Sequence, residues 1–287
     1  MPIYTPKLPP IPNLAQRKPP ILSLARFDLM RILRQKLGRF FGAVFVGILL
    51  IQLTVLYTKY LIATNSQLDQ VKGLADHFLP KSADFQASLL HPSMLWFLWF
   101  QVALIGGGLI SRDTLYRIRP LIFAHPVRPL EYLASKTLIA FGVPFCIQLP
   151  FIIVPWLLSM LVAGPNGPVW LITPLYLIPA AILNSMLMAS ITLGASSLAG
   201  TPKAGMGWVI GLLLGPSILG GILTNIFNEV SWMALSPIGL TQVWPRILCG
   251  ATKMSFPLWP TIIATAANIL LWLYIAKRRT MPSEAVI

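Results

Sequence analysis

Long apolar stretches, separated by short polar segments, dominate the pattern of this chain. Each stretch is close to the roughly 20 residues that a helix needs to cross a bilayer core. The stretches are continuously apolar and lack in-out alternation, which predicts helices and excludes the strands of a membrane barrel. The predicted spans are residues 40–62, 93–110, 136–162, 169–198, 206–227 and 257–276. We therefore expect an all-α integral membrane protein with six transmembrane helices in one domain, residues 40–280.

The two ends of the chain are polar. Residues 1–22 are rich in proline and lack helical periodicity, which predicts an extended tail. Residues 281–287 form a second, shorter tail. The apolar segment 228–256 is too broken to cross a membrane, so we expect a pair of short re-entrant or interfacial helices there.

The segment 23–39 has apolar residues at steps of three and four, which predicts an amphipathic helix lying in the headgroup layer. The residues that define its two sides are apolar Phe27 and Leu37, and charged Asp28, Arg31 and Arg34. A plain extension of the first span into the cytoplasm is the alternative interpretation.

The charge distribution predicts the orientation. Hydrophobic residues make up 56% of the chain and charged residues 10%, with a net charge of +14. The basic residues concentrate before the first span, between the second and third, after the fourth, and after the sixth. Cytoplasmic segments of membrane proteins are enriched in Lys and Arg, so both termini are predicted to be cytoplasmic. The same rule explains the positive charge without nucleic acid as a partner, and anionic lipid becomes the expected contact.

Few polar side chains are expected at membrane depth. No Lys, Arg, Asp or Glu lies near the centre of a predicted span, which argues against an ion-coupled carrier. Gln148 and Asn184 could line a substrate path or hydrogen-bond neighbouring helices. Gly207, Gly211 and Gly215 recur at four-residue steps, so another helix could approach closely, either in a dimer or within one subunit.

The basic connection between the second and third spans, residues 111–136, is the most distinctive polar segment, and we call it the elbow. With the preceding isoleucine it reads ISRDTLYRIRPLIFAHPVRPLEYLASK. A short rigid turn between two spans could transmit a mechanical force to both of them. Its charged side chains could pair with a polar groove on a partner protein. An inert connector with positive-inside arginines is the alternative.

The elbow resembles the first cytoplasmic loop of ABC-2 type transporter permeases. In that family an acidic residue leaves the second span, and a short coupling helix ends in a Leu-Leu-like pair. A Pro turn, an Arg, a Glu/Asp-Tyr-Leu and a Lys follow. The matching positions here are Asp113, Leu121–Ile122, Pro126–Val127–Arg128, Glu131–Tyr132–Leu133 and Lys136. The chain departs from the family pattern at residues 116–120, which read Tyr-Arg-Ile-Arg-Pro, and at His125.

The resemblance implies the permease subunit of a prokaryotic ABC exporter in the cell membrane. The coupling helix would dock into a separate ABC ATP-binding subunit, which would bind ATP and Mg. The residues expected to couple the two subunits are Arg112, Asp113, Arg117, Leu121, Pro126, Arg128 and Glu131. A second permease, either a copy or a homologue, is a further expected partner, and an accessory extracytoplasmic protein is compatible with the family.

The chain contains no Gly-x-x-x-x-Gly-Lys-Ser/Thr phosphate loop, since the glycines at 106–108 are followed by no lysine. We therefore expect no ATPase, catalytic residue, metal or cofactor site in this chain. Two alternative functions remain. The first is a membrane enzyme acting on lipid-linked substrates, for which Asp113, His125 and Glu131 would be the only grouped residues; structural ion pairing explains them better. The second is a non-transporting anchor or assembly factor.

Overall fold

The computed structural model describes residues 21–64, 89–124, 127–163, 172–250 and 257–280. The predictions made for residues 1–20, for Pro126 and His125, and for the tail 281–287 lie outside the described residues. Of Leu121 the structure describes the backbone.

The described residues are organised into helices. In chain order these are α1 (Ile21–Arg34), α2 (Lys36–Thr64), α3 (Pro92–Gln101), a π-helical turn (Val102–Gly106), α4 (Ser111–Leu115), α5 (Ile118–Ala124), α6 (Pro129–Ala163), α7 (Thr173–Leu198), α8 (Pro202–Phe227), a 3-10 helix (Val230–Leu235), α9 (Pro237–Leu248) and α10 (Leu258–Thr280).

Within the described residues, six segments are long and apolar enough to cross a membrane. They are Lys36–Thr58, Pro92–Leu115, Pro129–Leu161, Thr173–Leu198, Pro202–Phe227 and Leu258–Thr280. Each overlaps one predicted span, so the expectation of an all-α protein with six spans is confirmed. The chain is a multi-pass membrane protein.

The chain bends at Gln35, between α1 and the first span, whereas the sequence predicts that the amphipathic helix continues to residue 39. The amide of Gln35 donates to the carbonyl oxygen of Ile32 (3.2 Å), which tightens the last turn of α1. Gly38 then passes against the backbone of Ile32, where a β-carbon would collide with that carbonyl. Residues 36–39 therefore belong to the first spanning helix rather than to α1.

Helix α7 lies at the centre of the bundle. It packs against α6, α8, α9 and α10, and most of its side chains are buried. Helices α2, α8 and α10 instead leave large apolar side chains exposed, such as Ile51 (66%), Ile218 (60%) and Leu270 (68%). A surface of this kind is stable when lipid rather than water surrounds it.

The described part of the broken segment, residues 228–250, contains two short helices, as the sequence predicts. Ser236 caps α9 by accepting a hydrogen bond from the amide of Gly239 (3.1 Å). The buried face of α9 packs on α7, and its Trp244 donates to Thr265 of α10 (3.0 Å). These bonds satisfy polar groups that would otherwise lie buried without a partner.

The second and fifth spans cross at two glycines. A β-carbon on Gly107 would come within 2.7 Å of the Met206 amide nitrogen, and one on Gly205 would overlap the Gly107 carbonyl. The two backbones can approach this closely because neither residue carries a side chain. This contact fixes α8 beside the start of the elbow.

Replacing Gly205 by alanine should lower the free energy of unfolding by about 1–3 kcal/mol, because the added methyl forces the two spans apart. SDS-titrated unfolding in mixed micelles measures the change. Gly211→Ala is the matched control on the same helix, since a β-carbon there meets nothing within 4 Å. Equal stabilities of the two variants would contradict a backbone crossing at Gly205.

Candidate functional site

The start of the elbow is fixed to the central helix. Ser196 of α7 accepts hydrogen bonds from the backbone amides of Ile110 (2.9 Å) and Ser111 (3.1 Å). The hydroxyl of Ser111 donates to the carbonyl oxygen of Gly107 (3.0 Å). The π-helical turn Val102–Gly106 interrupts the regular α-helical hydrogen bonding of the second span a few residues before this point. Ser196 therefore supplies an acceptor for the amides at the junction.

A buried group of charges joins the elbow to α1. The ammonium of Lys136 lies 2.7 Å from Asp28 Oδ2 and 2.7 Å from Asp113 Oδ2. The phenol of Tyr132 donates to Asp113 Oδ2 (2.8 Å), and its ring lies 5.3 Å from the Lys136 ammonium. The side chains of Lys136, Asp28 and Asp113 are 5%, 9% and 5% exposed. We call Asp28, Asp113, Tyr132 and Lys136 the charge cluster.

Each member of the charge cluster comes from a defined element. Asp28 lies on α1, Asp113 on α4, and both Tyr132 and Lys136 on the first turns of α6. Buried ions are stable only when they are paired, so these three elements cannot separate without exposing or unpairing a charge. The charge cluster thus holds α1, the second span and the third span together at one end of the bundle.

Two arginines border the charge cluster. Arg31 and Arg112 line the same small recess as Asp28. Both arginines are half-buried. The predicted coupling residue Arg112 therefore faces inward, toward α1.

The elbow is also braced from its far side. The guanidinium of Arg119 in α5 donates from Nη1 to the carbonyl oxygen of Arg279 at the end of α10 (3.5 Å). The ring of Phe123 packs edge-on against Tyr132, with centroids 5.8 Å apart. Helix α5 is thereby held between the third and sixth spans.

Glu131 caps the third span. Its Oε2 accepts a hydrogen bond from the backbone amide of Arg128 (2.9 Å), three residues earlier. This is half of a capping box, and Pro129 occupies the first helical position, where its missing N–H costs nothing. The third span consequently begins at Pro129 rather than at residue 136. The guanidinium of Arg128 stays exposed beside this cap.

Arg117 adopts a left-handed backbone conformation. Its φ is 52°, at the joint between α4 and α5, and its side chain is exposed. A residue with a β-carbon is disfavoured there by about 1–2 kcal/mol. The predicted coupling arginines therefore differ in placement: Arg117 and Arg128 point outward, whereas Arg112 packs against the charge cluster.

The strain at Arg117 predicts a difference between two neutral substitutions. Arg117→Gly should be more stable than Arg117→Ala by about 1 kcal/mol, because glycine adopts positive φ freely and alanine does not. Thermal unfolding of the two purified variants measures the difference. Both lack the charge, so an equal melting temperature would contradict the left-handed joint.

Helix α1 combines a buried face with an apolar exposed one. Ala25, Asp28 and Ile32 face the protein, whereas Phe27 is 69% exposed and Leu37, at the start of α2, is 37% exposed. Arg34 is exposed and Arg31 is half-buried. The sequence pattern places Asp28 on the polar side with the arginines; the structure buries it against Lys136. In the sequence, the sign of this ion pair is an acidic residue among basic ones, together with a lysine at the start of the predicted third span.

The predicted path residues lie inside the subunit. Gln148 donates to the Ser185 hydroxyl (2.9 Å), and Asn184 donates to the Thr241 carbonyl oxygen (3.1 Å). Both amide side chains are fully buried, so these contacts link α6 with α7 and α7 with α9. Of the two interpretations, the observed contacts are those of interhelical hydrogen bonds.

The small-residue stripe faces outward. Gly207, Gly211 and Gly215 are exposed, and a β-carbon at any of them meets no atom of the described chain within 4 Å. Packing of this stripe within the described part of the subunit is therefore not observed.

Of the three residues grouped for an enzymatic interpretation, Asp113 and Glu131 are engaged elsewhere, and His125 lies outside the described residues. Asp113 pairs with Lys136, and Glu131 caps α6. No three His, Cys, Asp or Glu residues come together as a metal site among the described residues. Burial raises the pKa of the Cys249 thiol to about 11, so near neutral pH this group is a protonated thiol and a poor nucleophile. The sequence matches no known protein-family model and no curated protein.

Proposed function

We propose that this protein is the membrane-spanning permease of an ATP-driven exporter of the ABC-2 type, in a prokaryotic cell membrane. The observation that carries the proposal is the elbow, a short helical turn that exposes Arg117 and Arg128. Buried ionic and hydrogen bonds tie it to α1, α6 and α7, and an exposed hydrogen bond from Arg119 reaches α10. The family resemblance of its sequence gives this geometry its functional meaning.

A force on α4 and α5 has direct routes into the bundle. The charge cluster transmits it to α1 and α6, Ser196 transmits it to α7, and Arg119 transmits it to α10. Packed elements with defined partners move as units rather than deforming continuously. Closure of a docked ATP-binding subunit, which would hold the ATP and Mg, would then tilt several spans together.

Two permeases would form the substrate path between them. The outward-facing glycine stripe on α8 supports this arrangement, because small residues let two helices approach closely in a membrane. Gln148 and Asn184 would keep each subunit rigid rather than contact the substrate. Both termini would lie in the cytoplasm with the elbow, in agreement with the positive-inside rule.

Purification from native membranes tests the proposal. The tagged full-length chain, solubilised in mild detergent, should bring down an ATP-binding subunit in a fixed ratio, and the complex should hydrolyse ATP. Sealed vesicles containing the complex should then accumulate or release substrate only when ATP is supplied on the elbow side. Absence of a nucleotide-hydrolysing companion, or an elbow accessible only from the cell exterior, would overturn the proposal. ATP hydrolysis without vectorial movement would favour the anchor or assembly factor instead.

A further inference from the structure

A long apolar groove runs along the outside of the bundle between α6, α7 and α10. Its volume is about 760 Å³. The walls are formed chiefly by aliphatic and aromatic side chains, among them Leu133, Leu138, Phe141, Met186, Leu270 and Leu273. The groove is open to the side, where lipid surrounds a membrane protein.

The groove lies in the half of the bundle that contains the elbow. On α10 it extends from Leu270 to Lys277, near the end of the helix. Seven residues of helix rise by about 10 Å, which is most of the roughly 15 Å of hydrocarbon in one leaflet. Its dimensions therefore suit an extended hydrocarbon chain inserted from that leaflet.

Basic side chains lie at the elbow end of the groove. Lys277 lines it, and the exposed side chains of Arg278 and Arg279 follow in the last turn of α10. A ligand with an apolar tail and an acidic head would place each part against matching chemistry, because anionic headgroups attract basic residues at the membrane surface.

We propose that this groove binds an acyl chain of an anionic membrane phospholipid, whose phosphate pairs with Lys277. A second copy of the chain complements the positive charge beside the groove less well than an anionic phospholipid does. The acidic residues described on the elbow side are Asp28, Asp113 and Glu131, and each already has a partner within its own subunit. A phospholipid supplies its own negative charge. The site does not depend on the proposed transport function.

Native mass spectrometry of the full-length chain tests the site. Protein purified in detergent is incubated with equal amounts of phosphatidylglycerol and phosphatidylcholine of the same acyl composition. Wild type should retain phosphatidylglycerol preferentially. Lys277→Ala should weaken that binding about fivefold, the contribution of one basic residue near an anionic surface. Ala134→Trp, which fills the groove from an exposed wall position, should weaken the binding of either lipid about tenfold.

Two control variants make the same chemical changes elsewhere. Lys203→Ala removes an exposed lysine at the start of α8, and Ala43→Trp adds a ring at an exposed position of α2; neither lines the groove. Both should bind lipid like wild type. Equal retention of the two lipids by wild type, or unchanged binding in Lys277→Ala or Ala134→Trp, would overturn the proposal. Conversion of a dimer to a monomer by Ala134→Trp would assign the groove to a second subunit and overturn it as well.

Discussion

Replacing Lys136 by methionine should lower the free energy of unfolding by about 3–5 kcal/mol, the largest effect that we expect from a single substitution. The ammonium of Lys136 is the shared partner of Asp28 and Asp113, at 2.7 Å from each. Without it two buried carboxylates face each other with no cation between them. Unfolding in SDS-titrated mixed micelles, followed by tryptophan fluorescence, measures the loss.

The charge cluster contains two carboxylates and one ammonium group, so removing a carboxylate and removing the ammonium have different expected costs. Asp28→Asn should cost less, about 1 kcal/mol, because the Lys136–Asp113 pair stays intact and the amide can still accept a hydrogen bond. The combined variant D28L/D113L/Y132F/K136M should recover most of the stability, since buried ion groups are often replaced by apolar ones at no net cost. Lys203→Met, at an exposed lysine, is the matched control and should be neutral.

Two results would contradict this interpretation of the charge cluster. If Lys136→Met and Lys203→Met had equal effects, Lys136 would not be a buried partner of the two carboxylates. If the apolar quadruple variant were as unstable as Lys136→Met, the loss would come from packing rather than from unpaired charge.

Under the proposed permease function, reversing the charge at Arg128 or Arg117 should reduce transport-coupled ATP hydrolysis about tenfold or more. A charge-assisted contact with a partner subunit contributes about 1.5–3 kcal/mol, and reversal also introduces repulsion. Leu121→Asp, on α5 between them, should have a similar effect. The measurement compares ATP hydrolysis and substrate movement in vesicles, with insertion of the permease checked in the same membranes.

The matched control for charge reversal is Lys203→Glu. Lys203 is exposed at the start of α8, near the elbow but outside it, so its reversal should leave coupling unchanged. Arg128→Lys should retain part of the activity because the positive charge remains. Full coupling in all three elbow variants would remove the elbow from its proposed role.

The charge cluster contains a contact that the sequence pattern does not specify. The sequence pattern of the elbow includes Asp113, Tyr132 and Lys136, whereas periodicity places Asp28 on the polar side of a separate helix. Its partner Lys136 lies 108 residues away. A contact at that separation depends on how α1 is rotated against α6, and a periodic pattern does not specify which polar residue will face the bundle.

The pattern of hydrophobic and polar residues likewise does not specify how the spans are arranged in space. Helices α6 and α7 are apolar on all sides, so neither sequence indicates which face meets which neighbour. The central position of α7, the burial of Gln148 and Asn184, and the outward direction of the glycine stripe followed only from packing.

The sequence by itself determined the number and approximate limits of the spans, the elbow between the second and third, and the two short helices before the last. These features depend on the length and hydrophobicity of local segments, which the bilayer selects one at a time. The tertiary structure decided which charges are buried together, which of the elbow arginines stay exposed, and which faces remain for lipid or another subunit. Those outcomes depend on the relative rotation of helices, which is set by close contacts such as the Gly107–Gly205 crossing and the ion pairs of Lys136.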